Sequence, residues 1–223
     1  MDDFNTKLEE IIEERVSILF EIERTIFTQR YSLSWKHQDI LSKQSISMIY
    51  SIWEGFIQKS FNLYIDELNK IDIELHDFCD SIVIHHMENY FKQFKEYPSK
   101  DSRKMFFFNS LKEFRTGNNF SIPRTINTES NVGFSVLNKL LGNFSIEKFP
   151  QHWKDYSHPN PDLQKSLEFF LQMRNTIAHG GDLTSENKID QKVYTRFKKL
   201  AIDLMYEIRL KMLEALEKKM FLK

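Results

Sequence analysis

The chain has 223 residues, and its 31 lysines and arginines nearly balance its 32 aspartates and glutamates, giving a formal net charge of −1. This balance excludes a polybasic protein that holds nucleic acid by bulk charge, although it leaves room for a local basic site. A hydrophobic fraction of 41% and 20 phenylalanines exclude a disordered chain, so we expect one domain with a buried core over residues 1–223.

Chain-breaking residues are scarce. Six glycines and five prolines make up about 5% of the chain, against a usual combined share of about 12%. Long helices and an all-α fold are therefore predicted. The single Cys79 excludes an internal disulfide framework and a cysteine-based zinc site, and fits a reducing compartment. No apolar run approaches the roughly 18–20 residues that cross a bilayer, so we expect a soluble, cytoplasmic protein with no membrane partner.

Apolar residues at three- and four-residue steps predict long amphipathic helices in the first half of the chain. The first covers residues 6–30, and the second runs from about Gln38 to Leu68. A third is predicted over residues 72–95. Its inward-facing side chains are expected to be Phe78, Ile82, Tyr90 and Phe91.

A shorter helix is predicted over residues 101–114, where we expect the Phe106-Phe107-Phe108 run to be buried. The polar residues that follow predict an irregular insertion around 115–160, interrupted by a short helix at 130–142. Together the elements predict a helical bundle of long antiparallel helices with this insertion inside it.

The last two helices have clearer boundary signals. Asn160 is a suitable helix cap, Pro161 suits the first helical position, and Asp162 complements the helix dipole. Gly180-Gly181 is the expected C-terminal stop of that helix. A final helix is predicted over residues 187–220.

One segment combines groups that can perform chemistry. Residues 173–181 (MRNTIAHGG) place Arg174, Asn175 and His179 at the end of a helix that the apolar core supports. A guanidinium group matches phosphate oxygens, and an imidazole exchanges protons near neutral pH. These two groups suffice for RNA cleavage without a metal, in which the ribose 2′-hydroxyl attacks the adjacent phosphorus. DNA lacks that hydroxyl, so such a site would be selective for RNA.

Helix geometry constrains this hypothesis. Positions five residues apart on an ideal helix point about 140° away from each other, so Arg174 and His179 do not converge within one straight helix. Either the helix unwinds near the glycines, or two copies of the chain share a site in a homodimer. Spacing alone is weak evidence, because the same pattern also runs from Arg30 to His37, between two predicted helices.

Three segments together resemble the HEPN superfamily. The Arg-Asn-x-x-Ala-His-Gly sequence at 174–180 matches its Arg-x(4 to 6)-His motif with a polar residue after the arginine. Trp53-Glu54-Gly55-Phe56 resembles a helix of prokaryotic HEPN proteins from conflict and phage-defence loci. Residues 128–142, which include Leu140-Leu141-Gly142, resemble the connecting segment between helices in that branch.

The resemblance implies an HEPN-like bundle, a homodimer with a composite active site, and metal-independent endoribonuclease activity in a toxin or abortive-infection effector. Arg174 and His179 would take the catalytic positions and Asn175 a supporting one. The implied partners are an RNA substrate and an antitoxin or sensor protein. The resemblance implies no cofactor. The alternatives are a non-catalytic module of the same fold that binds nucleotide, RNA or protein, and a structural dimeric adaptor.

Other side chains are weaker candidates. Glu54 can orient Arg174 or lie at the dimer cleft, although a structural role is the more common one. Lysines that can contact the RNA backbone are Lys154, Lys188 and Lys192. His85 and His86 do not predict a metal site, because adjacent helical residues point about 100° apart and no third ligand has suitable spacing.

Overall fold

The computed structural model describes residues 2–91, 97, 99–116, 121–128, 131–154, 162–180 and 189–223, with only the backbone at 115 and 116. Within these ranges the regular structure is seven α-helices and two short 3₁₀ turns, which confirms the all-α prediction. No helix among the described residues is long and apolar enough to span a lipid bilayer. The helices are α1 (Asp2–Phe27), α2 (Trp35–Lys70), α3 (Asp80–Tyr90), α4 (Asp101–Thr116), α5 (Phe134–Asn143), α6 (Leu163–Ala178) and α7 (Gln191–Glu217).

Helix α2 is the central element, since it packs against α1, α6 and α7, while α1 also packs against α7. Polar contacts fix the direction of α7 relative to α1. The Tyr194 hydroxyl donates to the Leu19 carbonyl at 2.6 Å, and Arg209 donates to the Glu9 carboxylate at 2.6 Å. Residue numbers rise along α7 as they fall along α1, so the two helices are antiparallel.

Aromatic side chains dominate the apolar core, as the phenylalanine content predicted. Large rings each remove a wide apolar area from water, and their mutual tilted contacts add to that stabilisation. Phe170 of α6, for example, contacts Tyr50 of α2 and Phe197 of α7 with ring centroids 5.7 and 4.7 Å apart. The largest fully buried aromatic side chains are Phe4, Tyr50, Trp53, Phe56, Phe61, Tyr64, Phe78, Phe144, Phe170, Tyr194, Phe197 and Phe221.

The prediction of one helix over residues 72–95 was wrong at its start. Only a 3₁₀ turn at Leu75–Asp77 precedes α3. Phe78 is extended and forms an isolated antiparallel bridge with Leu222, and the Cys79 amide donates to the Phe221 carbonyl at 2.9 Å. Pairing with the C-terminal segment therefore replaces the helical hydrogen bonds that local propensity favours. The predicted end of this helix, at 92–95, lies outside the described residues.

The burial expected on the third and fourth helices is only partly correct. Phe78, Ile82 and Phe91 are buried as predicted, but Tyr90 is 64% exposed. In the phenylalanine run on α4 only Phe107 is buried. Consecutive residues on a helix point about 100° apart, so one packed face cannot cover three neighbouring rings.

The start of α6 differs by a few residues from the prediction. Asp162, and not Asn160, is the cap: its carboxylate accepts a hydrogen bond from the Lys165 amide at 2.9 Å. Asn160 and Pro161 lie outside the described residues. Gly180 ends the helix as predicted, with a φ of +69° that favours glycine.

Candidate active site

The C-terminal half of α6 carries the polar groups of the predicted site on a buried apolar support. Phe170, Met173 and Ile177 of this helix are buried in the core. Arg174 and Asn175 lie at the edge of the packed face and are half-buried. The backbone that carries them is therefore fixed by packing, so little ordering is required of it when a ligand binds.

Two contacts of Arg174 with neighbouring side chains orient its guanidinium. Its Nη1 atom donates to the Asn175 Oδ1 atom at 2.8 Å, and its guanidinium carbon lies 4.3 Å from the centroid of the Tyr50 ring on α2. A cation over an aromatic face is stabilised by about 0.5–2 kcal/mol, depending on its desolvation. Tyr50 thus makes a contact with the guanidinium of the kind that we expected of Glu54.

Tyr50 is itself held in place. Its hydroxyl accepts a hydrogen bond from the Val132 amide at 2.6 Å, and its ring is buried against Phe170. Burial raises the pKa of the Tyr50 hydroxyl, so the ring stays neutral and presents an unchanged face to the cation. The indole nitrogen of Trp53 donates to the Val132 carbonyl at 3.1 Å, so both backbone polar groups of Val132 are bound by side chains of α2.

Glu54 lies one helical turn after Tyr50 and contacts the segment that follows α4. Its Oε1 atom accepts from the Thr128 hydroxyl at 2.7 Å, and Gln58 donates weakly to the same hydroxyl at 3.4 Å. Thr128 is buried, so its hydroxyl requires such a partner. Glu54 therefore holds Thr128 against α2, and its role in orienting Arg174 stays a prediction.

Residues 121–128 and 131–132 follow α2 through further polar contacts. The Asn69 side chain pairs with both backbone groups of Ile122, at 2.8 and 2.9 Å, and Arg124 forms a two-bond contact with Asp66. The segment ends at Val132, where Tyr50 is the acceptor. We call residues 121–128 and 131–132 the connector. It supports the site, which makes Tyr50 and Thr128 the residues that the sequence analysis missed.

His179 is the C-cap of α6, directly after its last helical residue. Its φ of −91° and ψ of 10° continue the helical turn, and its amide donates to the Asn175 carbonyl at 3.1 Å. The side chain is exposed. The helix does not unwind before His179, so Arg174 and His179 extend from one regular helix in directions about 140° apart. Of the two geometries considered from the sequence, the unwound helix is not observed.

The candidate lysines are not gathered at this site by any described contact. Lys154 follows Trp153 in an irregular segment, and Lys192 lies in the first turn of α7. Both side chains are exposed and have no ion-pair partner among the described residues. Lys188 lies outside the described residues. Their role in RNA binding stays a prediction.

His85 and His86 are buried among aromatic rings. The His85 ring is 4.7 Å from the Phe144 ring, and the His86 ring contacts the Tyr90 and Phe114 rings, which also contact each other. Burial, together with the neighbouring His85, lowers the pKa of His86 to about 4. This imidazole is therefore uncharged near neutral pH.

Comparison with known proteins identifies the family. A family model described as RiboL-PSP-HEPN matches residues 5–214. No curated protein and no solved structure matches the chain. The match covers every helix from α2 to α6 and nearly all of α1 and α7. The chain therefore belongs to the RiboL-PSP-HEPN family of the HEPN superfamily.

Proposed function

We propose that this chain is a metal-independent endoribonuclease of the HEPN type, active as a homodimer. Family membership supports a nuclease or RNA-binding role in general. The observation that carries the more specific proposal is the contrast at the end of α6. The Arg174 cation is held on Tyr50 and Asn175, whereas the imidazole of His179 projects into solvent.

In the proposed reaction a base removes the proton of a ribose 2′-hydroxyl, and the oxygen attacks the adjacent phosphorus. The 5′-oxygen leaves with a proton from an acid, so the products are a 2′,3′-cyclic phosphate and a 5′-hydroxyl. His179 performs one of these proton transfers. Arg174 stabilises the additional negative charge on the phosphorane, and Asn175 positions Arg174.

Both groups must reach the same phosphodiester, and this requirement leads to the homodimer. Within one copy Arg174 and His179 point about 140° apart on a regular helix. A two-fold axis near the exposed side of α6 would bring His179 of one copy towards Arg174 of the other, and the symmetry would create two such sites. Asn175 lies between the two directions on this helix, so it would face the shared cleft.

Product analysis with purified protein tests the proposed chemistry. A labelled RNA strand should yield fragments with a cyclic phosphate and a 5′-hydroxyl, and cleavage should continue in EDTA. A strand with a single 2′-deoxyribose should resist cleavage at that position only. Cleavage of the deoxy position, or products with a 5′-phosphate, would contradict the proposed chemistry.

We also propose that the enzyme acts as a toxin or phage-defence effector that an antitoxin or sensor protein controls. Expression of the wild-type chain should halt growth of a bacterial host, and His179→Ala should relieve this effect at equal protein level. Equal growth inhibition by both chains would contradict the toxin role.

A second candidate function is a non-catalytic module of the same fold. Large exposed apolar side chains on α4, such as Phe106, favour a binding surface of some kind. RNA that stays intact during incubation but binds saturably would favour this module over the endoribonuclease.

A further inference from the structure

Helix α4 exposes large apolar side chains in an unusual concentration. Met105, Phe106 and Phe108 are 64%, 68% and 54% exposed, whereas Phe107 between them is only 5% exposed. The Phe107 ring packs against Phe91, with centroids 5.7 Å apart. This contact fixes the rotation of α4 about its own axis. Because Phe107 points into the core, Phe106 and Phe108 are left exposed to solvent. Clustered exposed rings of this kind mark interaction sites.

Basic side chains lie between these rings. Lys104 and Lys112 are four positions before and after Phe108, and Arg103 is three positions before Phe106, so each ring has a cation on the same side of the helix. Phe106 and Phe108 point about 160° apart around α4, on the two sides of the exposed Met105, so a strand that crosses the helix can contact both rings. We call residues 103–106, 108 and 112 the stacking face.

The local charge differs from that of the whole chain. Residues 100–114 include four basic side chains, Lys100, Arg103, Lys104 and Lys112, and two acidic ones, Asp101 and Glu113, in a chain whose net charge is −1. Lys104 pairs with Asp101 at 3.2 Å. Lys100 and Arg103 have no ion-pair partner among the described residues, so their charge is available to an anionic ligand.

We propose that the stacking face binds single-stranded RNA, with bases stacked on Phe106 and Phe108 and phosphates held by the neighbouring cations. This deepens, and rests on, the proposed endoribonuclease function. Aromatic rings combined with a basic surface are the general means by which proteins hold single strands without strict sequence preference. Phenylalanine, methionine and arginine are enriched in protein–protein interfaces and lysine is depleted there, so it is the excess of lysine over acidic side chains that favours RNA over a protein partner.

The stacking face should act on RNA affinity and not on the chemical step. Helix α4 packs through Phe107 and Phe114 on the ring of Phe91, whereas Arg174 rests on Tyr50 of α2. The rings therefore hold a part of the strand other than the scissile phosphate. Their loss should raise KM with little change in kcat.

Binding measurements in the cleavage-silent His179→Ala protein separate affinity from catalysis. We would measure the fluorescence anisotropy of a labelled, unstructured 20-nucleotide RNA. The added double substitution Phe106→Ala/Phe108→Ala should weaken binding about 10- to 100-fold, and Phe106→Trp/Phe108→Trp should restore it. Tyr206→Ala, which removes another exposed ring on α7, is the matched control and should bind as the parent does.

The charges give a second test. Lys100→Ala/Arg103→Ala should reduce the slope of log Kd against log salt by about 1.4, since each phosphate contact on a single strand contributes about 0.7. Lys199→Ala, on α7, should leave the slope unchanged. An unchanged slope in the double variant would overturn the assignment of these two side chains to phosphate.

Three outcomes overturn the stacking face. The first is unchanged RNA affinity of the Phe106→Ala/Phe108→Ala protein. The second is a dimer-to-monomer change of that protein in light scattering, which would make the face a contact between copies. The third is weakened binding that the tryptophan variant does not restore. Failure of the proposed function is distinct: RNA that wild-type protein binds through this face but leaves intact would contradict only the endoribonuclease.

Discussion

Helices α6 and α4 combine the same two chemical groups, cations and aromatic rings, in opposite arrangements. On α6 the Arg174 cation lies on the buried ring of Tyr50, and a hydrogen bond to Asn175 completes its orientation. On α4 the Phe106 and Phe108 rings are exposed, and cations surround them. A buried ring fixes a charge before any ligand arrives, as catalysis requires, whereas exposed rings leave their surface for a partner.

The strongest test of this comparison is to remove the proposed reacting groups. We expect Arg174→Ala and His179→Ala each to lower RNA cleavage by about 10²- to 10⁴-fold, the usual contribution of a positioned proton donor or charge. Initial rates on labelled RNA would measure this loss.

Arg30 and His37 provide a matched control for these substitutions. They repeat the arginine-to-histidine pattern outside α6, and the Arg30 guanidinium even lies over the exposed Tyr31 ring, at 5.9 Å. Arg30→Ala and His37→Ala should cleave RNA at the wild-type rate. If these two substitutions lowered the cleavage rate as much as those at residues 174 and 179, the assignment of catalysis to the α6 site would be contradicted.

The free energy of unfolding should respond very differently to substitutions at the buried support of the site and at α4. Trp53 is fully buried and hydrogen-bonded to Val132, so Trp53→Ala should lower the free energy of unfolding by about 3–5 kcal/mol. Phe106→Ala, also the loss of an aromatic side chain, should change it by no more than about 0.5 kcal/mol. Urea unfolding measures both. Comparable losses would mean that Phe106 is packed, against its observed exposure.

The free energy of unfolding should depend on pH through His86, which lies on α3 and contacts Phe114 of α4. The pKa of His86 falls to about 4 in the folded protein, and an unfolded histidine has a pKa of about 6.5. The unfolded chain binds more protons between these values, so stability decreases as pH falls from 6.5 towards 4, by at most about 3 kcal/mol. Urea unfolding at pH 7 and pH 4.5 should show a smaller difference for His86→Leu. Equal differences would exclude His86 as the source.

The smallest expected effect on cleavage concerns the Tyr50 hydroxyl beside Arg174. Tyr50→Phe keeps the ring under the guanidinium but leaves the Val132 amide without its acceptor, so it should cost about 1–3 kcal/mol of stability. Cleavage should stay near the wild-type rate where the protein is folded. Tyr50→Leu, which removes the ring, should lower kcat as well. If Tyr50→Phe lowered kcat as much as Tyr50→Leu, the hydroxyl and not the ring face would orient Arg174.

Much of the fold follows from periodicity and a few boundary residues. The apolar steps of α1, α2 and α7 predict the helices, and Gly180 predicts the stop of α6, because these signals are local. The prediction of a helix at Phe78 was wrong because the segment that pairs with it, Phe221 and Leu222, lies at the other end of the chain. Pairing between segments that are distant in the chain produces no local sequence pattern from which it can be predicted.

The proposed reacting groups stand out in the sequence, whereas their support does not. Arg174, Asn175 and His179 stand together in the sequence, whereas the Tyr50 ring reaches Arg174 only through the packing of α2 on α6. One signal for the connector was present. Tyr50, Glu54, Gln58, Asp66 and Asn69 form a polar stripe along α2, mostly at multiples of four residues. The stripe predicts a polar partner, but it does not reveal that the connector supplies it.

The claim that two copies share each active site can be tested by mixing two inactive proteins. Arg174→Ala protein retains His179, and His179→Ala protein retains Arg174, so a mixed dimer contains one complete shared site. After equal amounts are unfolded together and refolded, random pairing should restore roughly a quarter of wild-type cleavage, since half of the dimers have one of two sites intact. No cleavage above that of the separate variants, in a mixture that contains mixed dimers, would contradict the shared site.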